Sequence, residues 1–230
     1  MKEKWQGFCR FVDSLHPVRM VALGYLTYIL AGWILLALPL SHAGARIASL
    51  DALFTSASAL STTGLTTVST GHGFSLFGQI VILALIQIGG IGYMTFGSFV
   101  VLSRRGDLSD RREQIGKIVF SMPAEFRIAK FVRSVIVFTV LVEMAGVAAL
   151  FLAFRQAGLD HPLWSATFHS ISAFCTAGFG LYDTNFEALR GNVTVNAILG
   201  ILSYLGAIGF IVFVDAWRRL IGKTDRLTLT

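Results

Sequence analysis

The chain has 230 residues, of which 54% are hydrophobic and only 14% are charged, and its mean hydropathy is +0.69. Soluble proteins carry about 25% charged residues, so this composition favours a membrane protein. The two cysteines, Cys9 and Cys175, exclude a disulfide framework, and neither belongs to a Cys/His pattern that would hold zinc. The formal net charge of +6 raises the question of a nucleic-acid partner, which the placement of the charges answers.

Four apolar runs predict four membrane-spanning helices, because about 20 apolar residues cross the hydrocarbon layer. They are residues 20–40, 74–101, 131–154 and 193–214. Two further uncharged segments, 52–72 and 161–182, are rich in Ser, Thr, His and Gly instead. Each of these polar segments could cross the membrane fully or enter and leave on one face.

The distribution of Lys and Arg decides between these two possibilities. If only the four apolar runs cross, 16 of the 19 basic residues lie on one side of the membrane. The three on the other side are Arg46, Arg155 and Arg190. A full crossing by 52–72 would move the eight basic residues of 104–133 outside, against the positive-inside rule. We therefore expect two re-entrant segments in a multi-pass plasma-membrane protein, both termini cytosolic, and no nucleic-acid partner.

An internal repeat places the two polar segments at equivalent positions. Residues 54–70, FTSASALSTTGLTTVST, align without gaps with residues 168–184, FHSISAFCTAGFGLYDT, at an offset of 114. Residues 89–96, GGIGYMTF, match residues 206–213, GAIGFIVF, at an offset of 117. We expect an all-α membrane protein of two tandem units in parallel orientation, 1–112 and 113–230. Each unit comprises an outer helix, a re-entrant pore loop and an inner helix, and equal orientation implies an axis along the membrane normal.

Each polar segment predicts a short pore helix followed by an ion-binding loop. Residues 51–61 and 163–175 have helical apolar spacing, and the C-terminal end of such a helix favours a cation. A glycine between small, hydroxylated or apolar residues follows each helix. The candidate ion-binding residues are Thr62, Thr63, Gly64 and Leu65, and Thr176, Ala177, Gly178 and Phe179. Glycine allows backbone angles that turn successive carbonyls toward an ion, so the predicted ligands are main-chain oxygens.

These motifs resemble the Trk/Ktr/HKT superfamily of potassium transporters, in particular its KtrB-like membrane subunits. DALFTSASALSTTGLTT and LIQIGGIGYMTFGSF resemble the first repeat of that family, and HSISAFCTAGF resembles the second. The resemblance implies four such units around a potassium pathway, each with one filter glycine, here Gly64 and Gly178. Potassium is then the transported substrate held at the backbone of these glycines, with no bound cofactor. A cytosolic nucleotide-binding regulatory subunit is the implied partner.

The chain carries two of these units, whereas the family carries four. The predicted function is potassium uptake, with this chain supplying half of a pseudo-fourfold pore and a second copy or the missing half supplying the rest. The alternative is a non-conducting membrane scaffold or a truncated remnant, and the absence of a catalytic constellation in the sequence argues against an enzyme. We expect the faces Gly89/Gly92 and Gly206/Gly209 to mate with the partner half. The basic loop 104–133 is either a docking surface for a cytosolic partner or a solvated connector.

One acidic residue, Glu143, lies in the middle of a predicted span. An unpaired charge there costs about 2.5 to 3.5 kcal/mol, so we expect this side chain to face protein or water. The predicted partner is His169 or a neighbouring hydroxyl on the second pore helix. The alternative is a protonated acid bonded to a backbone carbonyl.

Overall fold

The computed structural model describes residues 17–92 and 128–208. Within these ranges the regular structure is helical, and β-pairing is limited to one bridge between His42 and Phe74. Seven α-helices follow in chain order: α1 Pro17–Ala37, α2 Ser49–Leu60, α3 Thr70–Gly73, α4 Leu76–Ile91, α5 Ile128–Gln156, α6 Pro162–Phe174 and α7 Val193–Ile208. Two short 3-10 helices span Pro39–Ser41 and Glu187–Leu189.

One helix in the described ranges is long and apolar enough to cross a membrane, by length and composition. It is the part of α5 from Arg133–Gln156, with a mean hydropathy of 2.5. Only 22% of its most apolar window is buried, unlike the core helix of a soluble protein. Three shorter apolar helices cover Ala22–Ala37, Leu76–Ile91 and Val193–Ile208, and they coincide with the other three predicted spans. The ends of two of these spans lie in 93–127 and 209–230, outside the described residues.

The two short helices α2 and α6 lie between the longer ones. Helix α2 packs on α1 and α4, and α6 packs on α5 and α7. Helix α4 also contacts α5 and α6, so it joins the two halves of the chain. The buried faces of α2 and α6 carry polar groups, which include Thr55, Ser56, Ser165, His169 and Ser170. These helices therefore need hydrogen-bond partners in the surrounding helices, because a buried unpaired polar group is costly.

The same contact between a short helix and an outer helix occurs in both halves at the offset of 114. Ser56 Oγ donates to the main-chain oxygen of Ile29 at 2.7 Å, and Ser170 Oγ donates to that of Glu143 at 2.8 Å. In each half the hydroxyl lies against a glycine of the outer helix, Gly32 and Gly146. These matched contacts support the predicted repeat, whose boundaries at 1–112 and 113–230 stay a prediction.

Candidate ion-binding site

Both short helices end in the same unusual way. Thr62 follows α2 with φ +51°, and Thr176 follows α6 with φ +52°. The next residues close each end, since Thr63 N donates to Ser58 O at 3.0 Å and Ala177 N donates to Ser172 O at 2.8 Å. This is a Schellman-type helix end, but with threonine at the left-handed position where glycine is usual. A β-branched residue with positive φ is a conformational outlier, and such outliers cluster at functional sites.

Two residues further along, each loop adopts a second positive φ at a glycine. Gly64 has φ +82° and Gly178 has φ +71°. Residues 62–65 are called the first glycine loop here, and residues 176–179 the second glycine loop. Alternate positive φ values turn neighbouring peptide planes, which allows the carbonyls of one loop to converge on one side.

The two glycine loops lie against each other. A Cβ atom added to Gly64 would lie 2.6 Å from the main-chain oxygen of Ala177 and 3.1 Å from the Cα of Gly178. A Cβ atom added to Gly178 would lie 3.4 Å from the Cα of Gly64. The structure thus brings together the two segments singled out in the sequence, at a distance that leaves space for backbone only. The roles of their residues as ion ligands stay a prediction.

Side chains of α6 form hydrogen bonds with the main chain of the second glycine loop and of the residues just after it. Ser172 Oγ donates to the main-chain oxygen of Phe179 at 2.7 Å, so this carbonyl keeps one free lone pair. His169 Nε2 accepts from Leu181 N at 3.2 Å, and its Nδ1 then donates to Ser165 O at 2.7 Å. Ser172 was not singled out in the sequence, and His169 was considered there as one of two alternative partners of Glu143, the other being a neighbouring hydroxyl. The spacing of His169 and Ser172, which places both on one buried face of α6, was the sequence signal that could have indicated these roles.

A cavity of about 380 Å³ borders the second glycine loop on the side of α7. Its lining includes Thr176, Gly178, Phe186, Leu199 and Ser203. One side of the second glycine loop therefore contacts the first glycine loop, and another faces open space. Thr63, Leu65, Thr176 and Gly178 are exposed in this chain, whereas Ala177 and Phe179 are buried.

The partner predicted for Glu143 is wrong, although the side chain does face protein. Glu143 is only 6% exposed, and its two carboxylate oxygens accept from Gln87 Nε2 of α4 at 2.9 and 3.1 Å. His169 instead forms hydrogen bonds with the main chain of Ser165 and Leu181 in its own unit. The hydroxyl of Ser170 does reach Glu143, but it bonds the main-chain oxygen. The sequence prediction failed because it sought a partner on α6, whereas α4 from the first unit packs on α5.

The predicted mating surface of inner-helix glycines is also wrong where the structure describes it. A side chain on Gly89 would collide with the main-chain oxygen of Leu60, and one on Gly206 with that of Phe174. The C-terminal ends of α2 and α6 therefore pack against these glycines within the chain. Gly92 ends α4 with φ +85°, and Gly209 lies outside the described residues.

The segments that follow the two glycine loops also meet. Asp183 Oδ1 accepts hydrogen bonds from Ser69 Oγ and from His72 Nδ1, the latter at 3.0 Å. Nearby, Gly71 lies directly against the main-chain oxygen of Leu181. The hydrogen bonds from Ser69 and His72 hold the pKa of the Asp183 carboxyl below its usual range. Asp183 and His72 are exposed, so this contact lies at a surface.

Several predictions concern residues outside the described ranges. The basic loop 104–133 lies there up to residue 127, and so do the two chain ends predicted to be cytosolic. The orientation of the chain across the membrane stays a prediction.

Apolar, outward-facing helices around two short polar helices are typical of a helical membrane transporter. The sequence matches the TrkH family, described as cation transport protein, over residues 26–228. The chain therefore belongs to the TrkH family, which comprises ion transporters and not enzymes.

Relatives support the same assignment. The chain is 36% identical over 229 residues to Ktr system potassium uptake protein B of Bacillus subtilis, covering 98% of this chain and 50% of the relative. It is 35% identical over 204 residues to the protein of the same name from Vibrio alginolyticus, covering 87% and 44%. It is 33% identical over 208 residues to potassium/sodium uptake protein NtpJ of Enterococcus hirae, covering 90% and 46%. The chain thus spans about half the length of these curated relatives.

Proposed function

We propose that this chain supplies two of the four pore segments of a potassium uptake transporter in the plasma membrane. Potassium passes along the glycine loops, bound by main-chain oxygens of residues 62–65 and 176–179. The observation that carries the proposal is the matched backbone of the two loops, with positive φ at Thr62 and Gly64 and again at Thr176 and Gly178. Relatives named as potassium uptake proteins support potassium as the substrate.

The chemistry of such a site is replacement of the hydration shell of the ion by carbonyl oxygens. The side chains in the glycine loops are neutral, so the electrostatic attraction comes from peptide dipoles. Helices α2 and α6 end at these loops, and the partial negative charge of their C-terminal carbonyls adds to that attraction. A dehydrated cation is favoured there over an anion.

In our proposal, the other two of the four pore segments come from outside this chain. Within the chain, three residues of α4 contact the second unit. Gln79 contacts Trp164, and Gln87 contacts Glu143. Gly90 lies against Cys175. At the offset of 117 the corresponding residues of α7 are Asn196, Tyr204 and Ala207. Tyr204 is 73% exposed, so this face of α7 is open to a third unit. That unit belongs to a second copy of the chain or to the missing half of the transporter.

A cytosolic nucleotide-binding regulatory subunit is proposed as a further partner, on the resemblance to Ktr-type transporters. Two of the relatives described above carry the name of the Ktr system. The basic loop 104–133 is the proposed docking surface.

The filter assignment is tested by placing a side chain on each filter glycine in an assembled transporter. We expect Gly64→Ser and Gly178→Ser to reduce the ratio of potassium to sodium uptake, because a Cβ on Gly64 would collide with the main-chain oxygen of Ala177, and a side chain on Gly178 would lie directly against the Cα of Gly64. Gly158→Ser is the matched control, since Gly158 has the same φ of +71° as Gly178 but nothing within 4 Å of a Cβ. Both kinds of variant impose a similar backbone strain of about 1 to 2 kcal/mol, so only proximity differs.

Uptake is measured in cells that lack other potassium transport. Unchanged selectivity in both filter variants, or an equal loss in Gly158→Ser, would contradict the filter assignment. Failure of the wild-type transporter to restore potassium-dependent growth would favour the non-conducting scaffold instead.

A further inference from the structure

The residues that bridge the two post-loop segments occupy equivalent positions in the repeat. Ser69 and Asp183 are 114 residues apart, as are Gly64 and Gly178, and both pairs are in contact. Two positions related by rotation are separated by a distance that grows with their distance from the axis. Equivalent residues that touch must therefore lie near the axis, so Asp183 lies close to the pathway that passes the glycine loops.

The order of the chain places Asp183 beyond the second glycine loop. Asp183 lies five residues after Gly178, and α7 begins ten residues after Asp183. In the proposed topology this segment lies on the outer face of the membrane. A cation entering from outside thus passes Asp183 before it reaches Gly178.

The carboxylate of Asp183 keeps a negative charge available to that cation. Its side chain is 59% exposed, and Oδ1 receives both hydrogen bonds, from Ser69 and His72. Among the described residues, no Lys or Arg forms an ion pair with it. An aspartate carboxyl is ionised at neutral pH, and the hydrogen bonds from Ser69 and His72 lower the pKa of Asp183 further.

We propose that Asp183 is a cation-attracting residue at the outer mouth, which raises the local concentration of potassium ahead of the second glycine loop; this inference rests on the proposed function. Fixed charges of one sign at the entrance to a pore concentrate the opposite ion and speed its arrival. Such an effect acts on the encounter with potassium and leaves the backbone filter unchanged. It also weakens as salt screens the charge.

Asp183→Asn separates this role from a purely structural link between the loops. Asparagine keeps an oxygen that accepts from Ser69 and His72, and it removes the charge. At low ionic strength we expect the apparent KM for potassium to rise roughly threefold to fivefold, as for loss of one nearby charge in water. The maximal uptake rate and the potassium-to-sodium ratio should stay unchanged. Added choline chloride should abolish the difference from wild type.

Ser69→Ala is the matched control, because it removes one bridging hydrogen bond but keeps the charge. Its KM should equal that of the wild type, and Asp183→Glu should also keep a low KM. An unchanged KM in Asp183→Asn, a rise that salt does not reduce, or an equal rise in Ser69→Ala would each overturn the inference. A wild-type transporter without potassium uptake would overturn the proposed function, and this inference with it.

Discussion

Glu143 and Gln87 form a buried polar pair between α5 and α4, and their hydrogen bonds are incomplete. Gln87 Nε2 donates to both carboxylate oxygens, while Gln87 Oε1 is buried with no partner among the described residues. A carboxylate offers only acceptors, so it leaves the amide oxygen unsatisfied. A glutamine at 143 would accept from Nε2 and also donate to Oε1.

We therefore expect Glu143→Gln to fold at least as stably as the wild type. Gln87→Leu should lower the free energy of unfolding by about 1 to 3 kcal/mol, because it leaves a buried carboxyl without its donor. Thermal unfolding of the purified protein in detergent measures both variants. A severe loss of folded protein in Glu143→Gln would show instead that the charge itself is required.

Helices α2 and α6 rest with their C-terminal ends on glycines of the inner helices. The main-chain oxygen of Leu60 lies against Gly89 of α4, and that of Phe174 lies against Gly206 of α7. The helix ends that precede the glycine loops are thereby fixed by backbone contacts. The absence of a side chain at these positions sets how closely each short helix approaches its inner helix.

Gly206→Ala should therefore be harmful and Gly200→Ala should not. A Cβ added to Gly206 has no space, because the backbone of Phe174 occupies its position, and such overpacking costs about 1 to 3 kcal/mol. Gly200 lies on the same helix with nothing within 4 Å, so alanine there should be neutral or stabilise by up to about 1 kcal/mol. Thermal stability and the potassium-to-sodium uptake ratio are the two measurements. Equal effects of the two substitutions would contradict this role of Gly206.

Local sequence pattern predicted the short helices well. They were expected at 51–61 and 163–175 and are found at Ser49–Leu60 and Pro162–Phe174, because helical periodicity and the following glycine loops are encoded locally. The contact partners of Glu143 and of the inner-helix glycines were mispredicted. A buried acid or a small-residue stripe indicates that something packs there, but which element does so depends on how the two units meet.

At the scale of the whole molecule, the two glycine loops contact each other on one side and are open on the other. The open side includes the cavity beside the second glycine loop and the face of α7 that carries Tyr204. A dehydrated ion needs oxygens on all sides, and in the proposed fourfold arrangement these two loops line only about half of the ring. The chain also spans about half the length of its curated relatives.

We therefore expect that a single copy of this chain does not conduct potassium. Exposed loop backbone facing lipid would leave polar groups unsatisfied, each at several kcal/mol, so a lone copy should be unstable or closed. Light scattering in detergent should give a mass above one chain, or assembly should need the missing half. Tyr204→Ala should weaken this assembly, whereas Leu152→Ala on the exposed face of α5 should not.

Potassium flux into liposomes, measured on the same samples, links assembly to function. Flux should follow the assembled fraction across the two variants, because only a closed ring surrounds the ion with carbonyl oxygens. A strict monomer that conducts potassium selectively would contradict the half-pore arrangement. In that case the two glycine loops would have to enclose an ion by themselves, although Gly64 and Gly178 already touch and leave space for backbone only.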